Sequence, residues 1–258
     1  MASRRFGTLA FVFCTQACGL VLAGIWVAIG RQPVPGFAAL VAAAGAGLSL
    51  AVCLAAFFQA MVVGTMSIVA PISALGVLVP IAAGIAEGER PGALQIVGII
   101  AAIAGIVLAA RAPGDRSSVR IESGLGLALL SAVSGGLFFW LMAVASRHSV
   151  PWAVLVSRAI PVLALAAALR IRRASLRPAL RSRNASPILA SALLGFAGIV
   201  LYAYATVDGA LAIVSVLGSL YPAVTVLLAY HVLHERIHRT QQLGITVVLA
   251  GVLLLSTG

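Results

Sequence analysis

The sequence predicts an all-α membrane protein of about nine transmembrane helices, four in a first copy of a duplicated unit and five in a second. Three observations carry that prediction. Of the 258 residues, 62% are hydrophobic and only 9% charged, far from the balance of a soluble domain. The apolar residues come in long runs, and about 20 residues of helix are needed to cross a bilayer. The chain also repeats itself. Glu89, Arg90, Gln95, Gly98, Ile99, Ala104, Gly105 and Leu108 recur as Glu235, Arg236, Gln241, Gly244, Ile245, Ala250, Gly251 and Leu254, all at an offset of 146. Ala60, Gly64, Ile68 and Val69 recur at an offset of 145, as Ala205, Gly209, Ile213 and Val214. Identities held in register in this way are the mark of a tandem duplication.

The apolar runs cover 6–30, 36–58, 65–86, 92–110, 123–145, 151–169, 187–207, 210–233 and 240–256. Each is too long for a strand and lacks strict alternation, which disfavours a β-barrel. A helix satisfies its own backbone hydrogen bonds in lipid, so helices are expected. The first run follows Arg4-Arg5 as a secretion signal would, but no soluble domain comes after it, so it is expected to stay as a helix. It ends at the polar turn Gly30-Arg31-Gln32-Pro33. In the second run, Ala42-Ala43-Ala44-Gly45-Ala46-Gly47 lets neighbouring backbones approach closely. The third carries Pro71 and Pro80 and closes at the elbow Gly88-Glu89-Arg90-Pro91. Residues 111–122 mix Pro, Gly, Asp, Ser and Arg and read as the linker between a repeat at 1–110 and a repeat at 123–258. The fifth run passes Ser131, Ser134, Gly135, Gly136 and Trp140, and the sixth holds Arg158 and Pro161. A loop at 170–186 with six arginines leads to the last three runs, where Asp208-Gly209, Pro222 and the second elbow repeat the earlier punctuation. Four helices before the linker against five after it leave the first copy without an equivalent of its first helix. Ala2-Ser3-Arg4 accordingly matches Ala145-Ser146-Arg147, at the end of the fifth run. The expectation is either a helix lost in evolution or a sequence begun at an internal methionine.

A formal charge of +11 would suggest nucleic acid in a soluble protein. Here it is arginine placed mostly in short loops, with no lysine, and the expected partner is the lipid bilayer, not nucleic acid. Cys14, Cys18 and Cys53 lie inside apolar runs without a CxxC pair, so they read as small packing residues and not as a disulfide or metal framework. There is no HExxH, no GxSxG and no phosphate-binding loop. No metal, no cofactor, no enzymatic activity and no ATP-driven pumping are expected.

The residues of the second copy resemble the EamA family of the drug/metabolite transporter superfamily: Gly209, Val214, Ser215, Leu220-Tyr221-Pro222, Ala229, Glu235-Arg236, Gln241, Gly244 and Gly251. A weaker set in the first copy comprises Gly64, Ser67, Val69-Ala70-Pro71, Leu75, Gly88-Glu89-Arg90-Pro91, Gln95 and Gly98. The resemblance runs from about residue 6 to 257. It implies two inverted five-helix repeats, ten helices in all, from which this sequence departs with 4 + 5, and export or import of small organic metabolites such as amino acids or drugs; a secondary exporter working by alternating access is the expectation. It also implies a multi-pass protein of a cell membrane, a bacterial inner membrane. Rocking one inverted half against the other opens a site near the bilayer midplane to each side in turn.

Candidate site residues follow from polarity out of place. Arg158 is the one charge well inside an apolar run, where it costs about 2.5–3.5 kcal/mol on the insertion scale. Its planar fork of donors suits a substrate carboxylate or phosphate. The competing reading is snorkelling, since the segment starts only seven residues earlier. Gln16, Gln59, Trp140, Tyr202, Tyr204 and Tyr221 are polar or amphipathic groups in aliphatic helices. Together they can wall a cavity for an amphipathic solute; singly each reads as packing or interfacial anchoring. Trp26 and Trp152, nearer segment ends, read as interface anchors, and His231 as a surface histidine. Glu89, Arg90, Glu235 and Arg236 form the elbows. A gate or charge clamp is one reading, and a pair that caps helices and fixes the depth of the turn is favoured, because helix ends are cheap places for charge.

All six acidic residues, Glu87, Glu89, Asp115, Glu122, Asp208 and Glu235, fall at segment ends or in loops, so no buried acid relays protons. Positive-inside counting, with 13 arginines on the side of the N-terminus against three on the other, puts the N-terminus inside. The resemblance implies a cytoplasmic C-terminus, the reverse. A small-molecule substrate is the expected partner, and a homodimer stays open. The alternative to a transporter is a non-transporting membrane scaffold or partner protein that keeps the same fold.

Overall fold

The computed structural model describes residues 2–63, 69, 72–110, 121–171, 182–220 and 239–257, with side chains for 10–63, 69, 72–108, 124–171, 186–220, 239–240 and 242–254. Its elements are α1 (Ala2–Gly30), α2 (Phe37–Val63), a 3₁₀ turn (Leu75–Val77) running into α3 (Leu78–Ala86), α4 (Ala93–Ala110), α5 (Ile121–Ser146), α6 (Val150–Ile171), α7 (Ser182–Asp208), α8 (Leu211–Gly218) and α9 (Arg239–Thr257). Among the described residues, five stretches are long and apolar enough to cross a membrane: Ala10–Gly30, Phe37–Val63, Gly124–Ser146, Val150–Ile171 and Ser186–Asp208. Ile72–Ala86, Ala93–Leu108 and Gln242–Leu254 are shorter apolar helices. Large apolar side chains face outward along them, Leu194 at 74% exposure, Leu253 at 66% and Ile100 at 61% among them. That is an all-α membrane fold, since lipid is a solvent for such surfaces where water is not. The run expected at 210–233 is described only as far as Leu220.

The chain forms two compact units, Met1–Ala51 with Leu141–Asp208 and Val52–Trp140 with Gly209–Gly258. Each draws residues from both sides of 111–120, which lie outside the described residues; 121 and 122, expected in the linker, are the first residues of α5.

In the first unit α1 packs on α6 and α7. Its contacts fix the directions. The α1 backbone at Gly19 meets Arg158, at Gly24 it meets Leu155, and the Gln32 carbonyl beyond its end accepts from Trp152 Nε1 at 3.3 Å, so α1 and α6 are antiparallel. Ala10 packs on Ile188 while Trp26 packs on Phe196 and Tyr204, so α1 and α7 run parallel. The start of α2 lies on α6, where Pro161 cannot donate to the carbonyl four residues back, that of Ser157. A Cβ on Gly47 of α2 would stand 2.6 Å from that same Ser157 oxygen, so the freed carbonyl is covered by glycine backbone.

In the second unit α4 and α9 make the most intimate contact, and it is reciprocal. A Cβ on Gly105 would lie 2.7 Å from the Gly244 carbonyl oxygen and 2.6 Å from Val248 N; a Cβ on Gly251 would lie 2.8 Å from the Gly98 carbonyl oxygen and 2.7 Å from Ala102 N. The pairs Gly98/Gly244 and Gly105/Gly251 both sit at the offset of 146. Rising numbers on one helix meet falling numbers on the other, so the two are antiparallel. Only glycine lets two helix backbones touch in this way. Alongside, Val77, Ile81, Ile99, Ala102, Ala212 and Val216 form a buried cluster that ties α3, α4 and α8 together.

Candidate functional site

The first unit holds a buried guanidinium. Arg158 is 5% exposed. Its Nη1 donates to Gln16 Oε1 at 3.1 Å and its Nη2 to the Gly195 carbonyl oxygen at 2.7 Å. The guanidinium carbon stands 5.9 Å from the centre of the Phe196 ring, within range of a cation–π attraction. Its Nε is buried without a hydrogen-bond partner. Among the described residues no carboxylate pairs with it, so the charge is held by two neutral acceptors and a ring face.

The depth of this group is fixed by its partners. Gln16 stands 14 residues from either end of α1, and Gly195 stands 13 from either end of α7. At about 1.5 Å per residue this is roughly 20 Å from each helix end. The head of Arg158 thus bonds to the midpoints of the neighbouring helices; within the apolar spans Ala10–Gly30 and Ser186–Asp208, Gln16 lies 6 and Gly195 9 residues from the nearer end. Glycine makes room for it: a Cβ on Gly19 would lie 2.5 Å from Nη1. On the other side, Gly195 and Gly198 of α7 have open space where a side chain would be.

An aromatic strip continues from the guanidinium. Phe196 packs edge-on to Trp26 with ring centroids 6.1 Å apart, and Trp26 packs on Tyr204 at 6.2 Å. Arg158 and Gln16 are therefore in direct contact, and Tyr204 stands at the far end of the strip, beyond Phe196 and Trp26. Trp26, expected as an interface anchor, uses its ring to bridge Phe196 and Tyr204; Trp152 bonds the turn after α1. Phe196 escaped the sequence reading, although a large ring flanked by Gly195 and Gly198 is a legible pattern of bulk beside space.

The other candidates lie elsewhere. Tyr202 is buried in α7, two residues and hence roughly 200° around the helix from Tyr204. Gln59 is exposed near the end of α2. Trp140 donates from Nε1 to Glu87 Oε1 at 2.8 Å, in the second unit. Glu89 caps α8: its carboxylate accepts the N–H of Leu211, and that of Ala212 at 3.0 Å, where the helix dipole favours negative charge. Arg90 is exposed. Tyr221, His231, Glu235 and Arg236 lie outside the described residues.

The arrangement can bind an anion and present a flat apolar surface beside it. The described residues hold no group of three or more His, Cys, Asp or Glu side chains placed to bind a metal. No curated protein matches the chain. Among solved structures 27 chains match. One of them, a crystal structure described only as that of a protein, superposes with a TM-score of 0.73 at 18% identity, covering 97% of this chain and 88% of its own; at that identity the likeness shows the fold. A family model described as the EamA-like transporter family matches residues 122–257. That match spans more than half of a chain already read as all-helical and multi-pass, and it settles the identity: the protein belongs to the EamA family of membrane transporters, within the drug/metabolite transporter superfamily.

Proposed function

We propose that this protein is a secondary exporter of small organic metabolites, such as amino acids or drugs, and that the cargo's acidic group binds at Arg158. The observation that carries this reading is the guanidinium at the midpoint of α1 and α7 with no counter-charge among the described residues. A charge in that position is costly and is retained where it acts. Gln16 orients it, and Phe196, Trp26 and Tyr204 offer an apolar wall to the rest of the cargo.

Alternating access from nine helices in two inverted repeats, 1–110 and 123–258, completes the proposal. It is supported by the reciprocal glycine contact of α4 with α9, whose members stand at the offset of the duplication and whose helices run antiparallel. An inverted pair of repeats requires that relation between equivalent helices.

The test is flux in liposomes with an amino-acid and drug panel. Arg158→Ala should abolish transport of anionic and zwitterionic cargo and spare neutral cargo; equal loss of both would remove Arg158 from the binding site. A protein that moves no member of the panel would point to the scaffold reading.

A further inference from the structure

We infer that the exporter is driven by the membrane potential acting on an organic anion, with no coupling proton or sodium ion. The inference rests on the proposed transport reading and adds the charge of the cargo and the source of energy. Three observations lead to it. Arg158 is a fixed cation at the midpoint of the helices, with neighbours Gln16, Gly195 and Phe196 that solvate it but leave it charged. The whole sequence contains six acidic residues and four histidines, and none lies in the middle of an apolar run. Among the described residues, the groups that touch the guanidinium are the Gln16 amide, the Gly195 carbonyl and the Phe196 ring, and none of them is ionisable.

Proton coupling needs a group inside the membrane that takes up and releases a proton as the site turns from one side to the other, and carboxylates and imidazoles are the usual carriers. Among the described residues no such group touches Arg158. A sodium ion bound beside the cargo would find no protein carboxylate at this site among the described residues and would compete with the guanidinium for the cargo's own acidic group. An anion is the one companion that lowers the energy of the site. Once bound, it forms a neutral pair with Arg158, so the loaded site carries no net charge, and each turnover moves the anion's own charge across the membrane. An inside-negative potential pushes anions outward. Export then needs no second ion: a potential of about 100 mV shifts the distribution of a monovalent ion roughly fiftyfold. The aromatic strip beyond Phe196 favours an anion with a flat apolar body over a small inorganic one.

The test uses the full chain in liposomes with labelled benzenesulfonate at equal concentration inside and outside, a probe that stays ionised and so does not leak as a neutral acid. A potassium gradient with valinomycin sets an interior-negative potential of about 100 mV with equal pH on both sides. Benzenesulfonate should leave until its inside concentration is roughly fiftyfold below the outside, and reversing the potential should reverse the accumulation. A pH gradient or a sodium gradient at zero potential should leave it in place. Arg158→Lys, which keeps the charge, should slow the flux and preserve its response to potential, whereas Arg158→Gln should lose it. Accumulation that follows pH or sodium and ignores potential overturns the inference, as does transport of phenylalanine or benzyltrimethylammonium without transport of benzenesulfonate; in either case the transport reading stands. If nothing in the wider panel moves under any gradient, the transport reading itself falls.

Discussion

Arg158 shows how one residue can be visible in a sequence while its surroundings are not. A charge amid apolar residues announces itself, and Gln16 does so more quietly, because a mid-membrane amide needs a partner. Trp26 gave no such signal, since an aromatic ring in a membrane helix reads the same whether it faces lipid, interface or another ring. Nothing in the sequence set α1 against α7 in the register that brings them together. Gly19 offers a sharp test of the geometry. A methyl there would meet Nη1 at 2.5 Å, the far end of a flexible side chain, so the guanidinium can give way without unfolding the helices. Gly19→Ala should leave the protein folded in detergent at a cost of about 1–3 kcal/mol, the overpacking range, while KM for an anionic cargo rises several-fold. Unchanged KM would mean that the position of the guanidinium is irrelevant to binding.

At the scale of elements, the seam between α4 and α9 and the cap on α8 carry different weights. Gly105→Leu or Gly251→Leu would drive a side chain into backbone atoms of the facing helix, which cannot move aside as a side chain does. Each should cost about 3 kcal/mol or more, beyond the usual overpacking range, and lower the melting temperature by similar amounts because the contact is reciprocal. Gly126→Ala, with open space around it, should be neutral in the same assay. Glu89→Ala removes the carboxylate that accepts the first two N–H groups of α8 and should cost about 1 kcal/mol. Glu89→Gln, which keeps an acceptor, should recover part of it; a melting curve of either variant that overlays the parent would show the cap to be idle. The elbow was legible from its repetition, and its capping role was the favoured reading of its position. Its target was not legible, because α8 begins 122 residues further along the chain.

For the whole molecule, the transmembrane character was written in run length and composition, and the family in the residues that the two copies share. What the sequence could not supply was which helices touch. Helices that are apolar all round carry no amphipathic stripe to say which face turns inward. The compact units cut across the order of the chain: α1 of the first half joins α6 and α7 of the second, and α9, the last helix, returns to α4.

That last pairing has a consequence for synthesis. The chain between α4, which ends at Ala110, and α9, which begins at Arg239, is 128 residues long. At about 5–20 residues per second the ribosome needs roughly 6–26 s to make it. Through that interval Gly98 and Gly105 present a bare backbone groove to lipid, or to whatever else in the membrane fits it. A cysteine pair at Ala102 and Val248 should crosslink only after release of the full chain, and a nascent chain stalled before α9 should show Ala102→Cys crosslinking to the insertion machinery instead. A backbone contact this close then forms late, and until it does the biogenesis apparatus must keep another helix from taking the place of α9.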